Sequence, residues 1–225
     1  MSNNSEKIFA TNHYKFLDKI AYKKRIEIAR IINNEINNLE LNDALDIGTT
    51  EDISNQSSNT IIKNLEKINI FKSISNQNIK SSFFEKKLNK SITDDLSKIE
   101  LDEFSSDIVL SNATIEHVGS EQNQRKMIDN IIKLSKKVFV ISTPNRSYPL
   151  DFHTKIPLIH WLPKTLHRKI LRFIGLEFYA REENLNLLSK KDLMLFMKKY
   201  NLKYKIYNIK LLKLNSNLIL IGKKN

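Results

Sequence analysis

The sequence predicts an α/β protein built on a doubly wound sheet of seven strands, mostly parallel with one antiparallel strand at an edge, and helices on both faces. Three observations lead to this prediction. Short apolar segments alternate with amphipathic helical segments, the run 137–142 is β-branched and apolar, and the last two apolar segments follow each other with no helix between them. A chain of 225 residues is long enough for one such domain.

Patterns in the first half of the chain predict its elements in order. Apolar residues recur at helical spacing over 13–36, which predicts one or two amphipathic helices. The apolar run 44–48 predicts a buried strand that ends at a glycine turn, and Ile61, Ile62 and Leu65 predict a helix starting near Ser57. Beyond it, we predict a strand over 68–75, a short helix over 83–88, a third strand over 90–94 and a strand over 107–111.

The second half opens with a helix after Gly119, for which Ser120 is the expected N-cap. The strand 137–142 follows, and then an insert rich in proline and aromatic residues over 143–188. Ser189 to Asp192 form a capping box before another helix, and strands over 204–212 and 218–222 are predicted to form a hairpin across 214–217. We therefore divide the chain into an N-terminal helical extension, 1–40, and one domain, 41–225, with a lid or acceptor insert at 144–188.

Composition excludes several classes of protein. With 40% hydrophobic and 28% charged residues and no cysteine, the chain is neither disordered, collagen-like nor disulfide-stapled. No run approaches the ~20 apolar residues of a membrane-spanning helix, and residues 1–10 lack the apolar core of a signal peptide. We therefore expect a cytoplasmic protein.

The net charge of +12 is unevenly distributed. Residues 1–112 carry 15 basic and 17 acidic side chains, whereas residues 113–225 carry 22 and 8, so the excess positive charge lies in the second half. Nucleic-acid binding is disfavoured because 30 of the 37 basic residues are lysine and no patch interleaves aromatic and basic residues. An RNA-binding protein remains an alternative interpretation of the charge.

Ligands of a doubly wound sheet bind at the carboxyl ends of its strands, near the switch in strand order. The candidate ligand segments are therefore 46–52, 75–77, 94–96, 111–114 and 143–146. Several of them carry a resemblance to a known family: Leu45-Asp46-Ile47-Gly48, Asp95-Leu96, Asp107 to Val118 with its Ser-Asn-Ala-Thr-Ile-Glu-His-Val stretch, and Thr143-Pro144-Asn145.

These motifs resemble the class I S-adenosylmethionine-dependent methyltransferases, within them the branch related to quinone-biosynthesis methyltransferases, over about residues 43–188. The resemblance implies a Rossmann-like sheet and an enzyme that uses S-adenosylmethionine to methylate an acceptor, which we expect to be an oxygen. It also implies cofactor-binding roles. These belong to Asp46 for the ammonium group, Gly48, Thr49 and Thr50 in the turn, Asn76 for the ribose, Asp95 and Leu96 for the adenine, and Ser111 and Asn112 near the methyl group.

Two departures from the family pattern leave an alternative open. Of the glycines in the expected acidic-x-Gly-x-Gly-x-Gly turn only Gly48 is present, with Thr50 and Asp52 at the later positions, and the acidic ribose ligand is replaced by Asn76. A catalytically degenerate binding or scaffolding protein with the same fold is therefore the first alternative. An RNA methyltransferase, suggested by the net charge, is the second. Simpler interpretations also exist for two carboxylates, because Asp46 could merely end a strand and Asp95 could merely cap a turn.

The insert at 144–188 is predicted to cover the acceptor. We expect His153 to be the base that takes a proton from the acceptor, His160 to be the second choice, and Asn145 and Arg146 to orient the acceptor. The histidines could instead only stitch the insert to the core, and His117 beside Glu116 is expected to be a packing residue. No metal site is expected, because cysteine is absent and the five histidines are dispersed along the chain.

Residues 164–176 form a candidate basic amphipathic helix. Leu166, Ile170, Phe173 and Ile174 fall on one side and Lys164, His167, Arg168, Lys169 and Arg172 on the other. With Trp161, the segment 161–176 could contact an anionic membrane surface, or it could pack its apolar side on the domain and leave the basic side in solvent. The first interpretation favours a lipid-linked acceptor, and the second a small soluble acceptor, for instance an anionic one; the sequence leaves the oligomeric state open.

Overall fold

The computed structural model describes residues 15–51 and 58–224, with side chains from residue 19 onward. Two short 3₁₀ turns, Ile115–His117 and Ile159–Trp161, accompany the helices and strands. In chain order these are α1 (Lys15–Ile36), β1 (Asp43–Ile47), α2 (Thr60–Lys63), β2 (Ile70–Ser75), β3 (Lys86–Asn89), α3 (Lys98–Phe104), β4 (Ser106–Asn112), α4 (Glu121–Leu134), β5 (Ser135–Pro144), α5 (Lys164–Phe173), α6 (Glu177–Ala180), α7 (Lys190–Met197), β6 (Lys203–Leu211) and β7 (Leu214–Lys223).

The seven strands form one sheet in the order β3-β2-β1-β4-β5-β7-β6. The pairs from β3 to β5 are parallel, while β7 runs antiparallel to both β5 and β6. The predicted seven-stranded, mostly parallel sheet is therefore confirmed. In detail, the antiparallel strand β7 lies second from the edge, and β6 forms the edge itself.

Apolar side chains fill both faces of the sheet. Alternate residues of β5 point to opposite sides, so Phe139 and Ile141 belong to one buried cluster and Val138 and Val140 to the other. Helices α4 and α7 cover the first face, and α1 and α2 cover the second. A central strand must therefore be apolar at every position, which is why the run 137–142 could be recognised in the sequence.

Helix α1 contributes to this domain directly. Ile28, Ala29, Ile32 and Ile36 are buried in the cluster on the second face. The side of the helix that these residues share packs against the sheet, so the predicted extension and the sheet share one core. The N-terminal part of the extension, 1–14, lies outside the described residues, and among the described residues no helix is long and apolar enough to cross a membrane.

Two predictions around the third strand are wrong. The segment predicted as a helix over 83–88 ends in β3, and the segment predicted as a strand over 90–94 is a loop. Strand β3 is a short edge strand in which only Leu88 is partly buried, while Lys86, Lys87 and Asn89 are exposed. An edge strand of this kind has too few apolar positions to produce the period-two pattern of a half-buried strand.

The predicted position of the last turn is also wrong. The hairpin turns at Leu212 and Lys213, which both adopt positive φ (51° and 66°), and residues 214–217 already belong to β7. A two-residue turn with both residues left-handed matches the twist of the strands, but its usual signal is Asn-Gly or Asp-Gly. Leu-Lys carries no such signal, so the sequence did not reveal it.

Local signals at helix starts were more reliable. The Ser120 side chain accepts a hydrogen bond from the backbone N–H of Asn123, and Ser189 and Asp192 form the predicted capping box. The predicted helix near Ser57 is present as the single turn α2, and Ser57 itself lies outside the described residues, as does Asp52.

Candidate active site

A cleft of about 320 Å³ opens at the carboxyl ends of β1, β2 and β4. It lies where strand order reverses between β1 and β4, the place at which doubly wound sheets bind ligands. A wider depression of about 550 Å³ lies at the opposite, amino-terminal ends of the strands and is open to solvent. The cleft is lined by Gly48, Thr49, Ile74, Ser75, Asn76, Gln77, Lys90, Ser91, Ile92, Thr93, Ala113, Thr114, His117, Val118 and Glu183.

The turn after β1 brings the backbone close to β4. Gly48 has φ +84°, and a Cβ built on it would lie 2.2 Å from the Thr114 Oγ1 atom, so any larger residue is excluded both by conformation and by space. Among residues 48–51 positive φ is confined to Gly48, so Thr50 is not forced into the left-handed region. Thr49 lines the cleft, while Thr50 bonds to Asn59 and Gln77 at its rim.

Asp46 is buried beneath this turn. Its Oδ2 atom accepts a 2.7 Å hydrogen bond from the Thr49 hydroxyl. Burial raises the pKa of Asp46 to about 6, although the hydrogen bond from Thr49 opposes the shift. A buried carboxylate that lacks a cationic partner costs free energy when ionised. Among the described residues no cation pairs with Asp46, and its side chain lies beneath the lining of the cleft and not in it.

Replacing Asp46 by asparagine should stabilise the cofactor-free protein above pH 6. The raised pKa means that the native state favours the protonated carboxyl, so this contribution to stability is present below pH ~4 and is lost as the pH rises through about 6. The asparagine side chain would keep an acceptor for Thr49 without a charge, and a shift of this size corresponds to about 3 kcal/mol. Urea unfolding from pH 4 to 8 should show the gain growing to pH 6 and then levelling; a pH-independent change would contradict the interpretation.

At the far end of the cleft the structure places different residues from those predicted. Asn76 lines it as expected, beside Ser75 and Gln77. The Asp95 side chain, however, is 96% exposed and pairs with Lys126, which lowers its pKa. Leu96 packs against the core rather than lining the cleft.

Ser91, Ile92 and Thr93 occupy the place predicted for Asp95 and Leu96. Asn130 of α4 holds this loop, because its side-chain N–H groups donate to the carbonyls of Ile92 and Asp94 at 2.7 and 3.0 Å. Asp95 and Leu96, which were expected to contact the adenine, thus lie outside the cleft lining, since the loop 90–97 bends away from the cleft after Thr93. An asparagine in the middle of an amphipathic helix was the signal that could have located the loop.

The end of β4 is held by its own polar side chains. The Ser111 hydroxyl donates to the carbonyl of Ile47, and Asn112 accepts from the Ser142 hydroxyl, so both side chains tie β4 to its neighbouring strands. Neither lines the cleft; the next residue, Ala113, does so and adopts φ 51°. A left-handed alanine is strained and is held in place by a hydrogen bond from its N–H to the Ser142 carbonyl.

A cluster of the buried Glu116 and the half-buried His117 and His153 adjoins the cleft. Glu116 Oε1 lies 4.0 Å from His117 Nε2 and 3.9 Å from His153 Nε2, and the two imidazole rings meet edge to face. The Glu116 side chain is fully buried, and its Oε1 atom has no hydrogen-bond partner among the described residues. Because His117 also lines the cleft, the cluster and the cleft are continuous.

Each member of the cluster is oriented by a partner on its outer atom. Thr143 donates to Glu116 Oε2 at 2.9 Å, His117 Nδ1 meets the carbonyl of Asn184 at 2.7 Å, and His153 Nδ1 meets Asp151 Oδ1 at 3.1 Å. Burial lowers the pKa of His117. Burial alone would raise the pKa of Asp151, but hydrogen bonds from His153 and Thr154 lower it, so this carboxylate is ionised.

The other residues predicted at the acceptor end hold the insert together. His160 is buried, with Nε2 bonded to the carbonyl of Tyr148, and Arg146 donates to the carbonyls of His160 and Leu162. Asn145 donates to the carbonyl of Asn215 in β7. Of the four predicted residues, therefore, His153 alone joins the cluster.

Glu116 and His117 were expected to be packing residues, and the histidines to be dispersed. In the fold, β4 and β5 are neighbours, so the loops that follow them bring His117 and His153 together. Separation along the chain is therefore no evidence against a metal site at these two histidines, because three ligand atoms of the cluster lie within 4.8 Å of one another.

No protein-family model matches the chain, and no curated protein matches its sequence. Solved structures do match it. The plantazolicin methyltransferase BpumL in complex with SAH has a TM-score of 0.63 at 11% identity, covering 100% of this chain and 91% of that chain. Magnesium protoporphyrin IX methyltransferase (ChlM) from Synechocystis PCC 6803 with bound SAH has a TM-score of 0.59 at 12% identity, covering 97% and 91%.

The N-methyltransferase NodS from Bradyrhizobium japonicum WM9 also matches, with a TM-score of 0.51 at 8% identity over 90% of this chain and 96% of that chain. These similarities in fold and coverage agree with the motifs at the carboxyl ends of β1 and β4. The chain has the fold of the class I S-adenosylmethionine-dependent methyltransferases.

Proposed function

We propose that this protein is an S-adenosylmethionine-dependent methyltransferase that methylates a hydroxyl group of a small acceptor. The observation that carries the proposal is the continuity of the cleft with the cluster through His117. Methyl transfer to a hydroxyl needs a cofactor site and a proton-accepting site side by side. The neighbours BpumL, ChlM and NodS are themselves methyltransferases, which supports the same reaction class.

The residues of the cleft suit the chemistry of this cofactor. Asp46, once ionised, would accept the ammonium group, directly or through water, at the turn made by Gly48 and Thr49. Asn76 and Gln77 at the end of β2 would meet the ribose hydroxyls, and Ile92 and Thr93 would pack around the adenine. A neutral amide binds a diol less tightly than a carboxylate does, so we expect moderate cofactor affinity.

In the reaction His153 would take the proton of the acceptor hydroxyl at Nε2 while the acceptor oxygen takes the methyl group. The ionised Asp151 carboxylate holds the Nδ1–H of His153, which fixes the tautomer that leaves Nε2 free to accept a proton. The cofactor, when bound, supplies an electrophilic methyl group on a sulfonium, which makes the transfer chiefly a problem of alignment. The insert is held at this end of the cleft because the Asn186 N–H donates to the carbonyl of Glu116 in the 3₁₀ turn, and the two ends of the insert are joined by a bond from the Arg146 N–H to the carbonyl of Leu188.

The geometry of the cluster also supports a second candidate mechanism, in which the three side chains hold a divalent cation. Glu116 Oε1 and the two Nε2 atoms converge, and all three side chains are held by outer hydrogen bonds of the kind that orient metal ligands. A divalent cation among them would need only small movements to reach ligand distances of ~2.0–2.2 Å. It would bind the acceptor oxygen and lower the pKa of the hydroxyl.

We propose that the acceptor is a small soluble molecule. A lipid-linked acceptor is the alternative. An anionic acceptor would be attracted by the basic insert, in which Arg146, Lys164 and Arg168 lie close to one another. The positive charge of the insert and its position next to the cluster support both a small anionic acceptor and a lipid-linked acceptor.

Isothermal titration with S-adenosylmethionine and S-adenosylhomocysteine tests the proposed function. We expect one saturable site per chain and a clear weakening in Asp46→Asn, which should nevertheless be folded and more stable. The affinity of the natural protein should rise as the pH increases through about 6, where Asp46 ionises. No heat at millimolar cofactor in a folded sample would overturn the enzyme and favour the degenerate binding protein.

A further inference from the structure

Helix α5 is amphipathic in the reverse sense to an ordinary surface helix. Most of its apolar side faces solvent: Phe173 is 91% exposed, Leu166 and Ile174 are also exposed, and Ile170 is half-buried. The turn before the helix adds Trp161, 52% exposed, and Leu158. The interpretation that the apolar side packs on the domain is therefore wrong. We call Leu158, Trp161, Leu166, Phe173 and Ile174 the α5 face.

Two basic side chains of α5 are held against the domain by specific bonds. Lys164 donates to Asn186 Oδ1 at 2.6 Å, and Arg168 donates to Glu182 Oε1 at 2.9 Å. Between them, His167 and Leu171 are buried. Turning the helix to bury the apolar side would break these bonds, so the exposure of the α5 face is built into the insert.

Single exposed apolar residues are common, but five on one turn and one helix side are not. Basic side chains surround them: Lys155 precedes the turn, and Lys169 and Arg172 are exposed on the helix. Tryptophan beside aliphatic residues and flanking lysine or arginine is the composition of helices that lie in a membrane interface. A second copy of the chain would bring these cations against one another, which disfavours a dimer through the α5 face.

We propose that the α5 face binds the surface of membranes that contain anionic lipids, with α5 lying in the plane of the interface. The apolar residues enter the boundary between headgroups and acyl chains, and Lys169 and Arg172 contact the phosphates. The same insert carries His153, only five positions before Leu158. Binding would therefore place the acceptor end of the molecule at the membrane, whatever reaction it performs.

Trp161 is the only tryptophan of the 225-residue chain, so its fluorescence reports on this face alone. With vesicles of equal parts phosphatidylcholine and phosphatidylglycerol we expect the emission to move to shorter wavelength and the protein to co-sediment. With phosphatidylcholine alone the effect should be much weaker. Phe173→Ser should lower the partition coefficient about tenfold or more, and Arg172→Ala about fivefold at low salt.

Ile99→Ser is the matched control, because Ile99 on α3 is 76% exposed and lies outside the α5 face. It should bind vesicles as the natural protein does. The proposal is overturned if Trp161 emission is unchanged by anionic vesicles, or if Ile99→Ser weakens binding as much as Phe173→Ser. A concentration-dependent dimer that hides Trp161 without vesicles would assign the face to a second copy instead. Cofactor binding is measured separately, so failure here leaves the proposed function untouched.

Discussion

Replacing His153 by asparagine is expected to lower kcat for methyl transfer about 10²–10⁴-fold, the usual contribution of a positioned base. The Nε2 atom that takes the acceptor proton is lost, while Glu116 and His117 remain. KM for the cofactor should change little, because the cleft is lined by His117 and not by His153. Steady-state kinetics with any hydroxyl acceptor found by screening gives both constants.

His160→Gln is the matched control for this prediction. His160 is buried and bonded to the carbonyl of Tyr148, outside the cluster. Its loss should lower the melting temperature but leave kcat per folded molecule unchanged. An equal loss of kcat in both variants would mean that the insert, and not the base, limits the reaction.

Treatment with a chelator distinguishes the mechanism in which His153 acts as a base from the mechanism in which the cluster holds a cation. If His153 acts as a base, treatment with a chelator leaves the natural activity intact. If Glu116, His117 and His153 hold a cation, chelation abolishes activity and added Mg²⁺, Mn²⁺ or Zn²⁺ restores it. In that case Glu116→Gln should also weaken metal binding, measured directly by titration of the metal alone.

Replacing Gly48 by alanine is the second large expected effect. The new Cβ atom would lie 2.2 Å from Thr114 Oγ1 at a φ of +84°, so the turn must move or the residue must be strained. We expect a loss of about 2–4 kcal/mol in the free energy of unfolding, together with weaker cofactor binding. Chemical denaturation and calorimetric titration measure the two effects.

Gly175→Ala distinguishes the steric contact with Thr114 from the backbone strain at positive φ. Gly175 has φ +79°, but no atom lies within 4 Å of the position that an added methyl group would take, so its replacement costs only the backbone strain, about 1 kcal/mol. The double variant Gly48→Ala, Thr114→Gly should recover the steric part of the loss. If Gly48→Ala costs no more than Gly175→Ala, the contact with Thr114 does not restrict the turn.

Elements with local signals could be located from the sequence. Strands β1, β4 and β5 are buried along most of their length because helices cover both faces, and Ser120 and Ser189 cap the helices that follow them. Prediction failed where local composition is uninformative, at the lysine-rich edge strand β3 and at the turn Leu212-Lys213. A turn without glycine or asparagine can form when the long strands on both sides determine its conformation.

The candidate site depended on contacts between distant segments. Gly48 and Asn76 line the cleft because they directly follow β1 and β2, and that position follows from the order of elements. Glu116 was missed because its role depends on His153, which lies in another loop. Asp95 is exposed and outside the cleft lining because the neighbouring loop is held by Asn130 from α4, a contact between segments that are distant along the chain.

Periodicity and strand ends were enough to predict the α/β fold, the position of Gly48 and Asn76 at the cleft, and the amphipathic character of α5. The meeting of Glu116, His117 and His153 depends on the folded chain, because adjacent parallel strands carry their loops to one edge of the sheet. The outward orientation of the apolar side of α5 also depends on the tertiary structure. Lys164 bonds to Asn186 and Arg168 bonds to Glu182. These bonds fix the rotation of the helix about its axis, so that Leu166 and Phe173 face solvent.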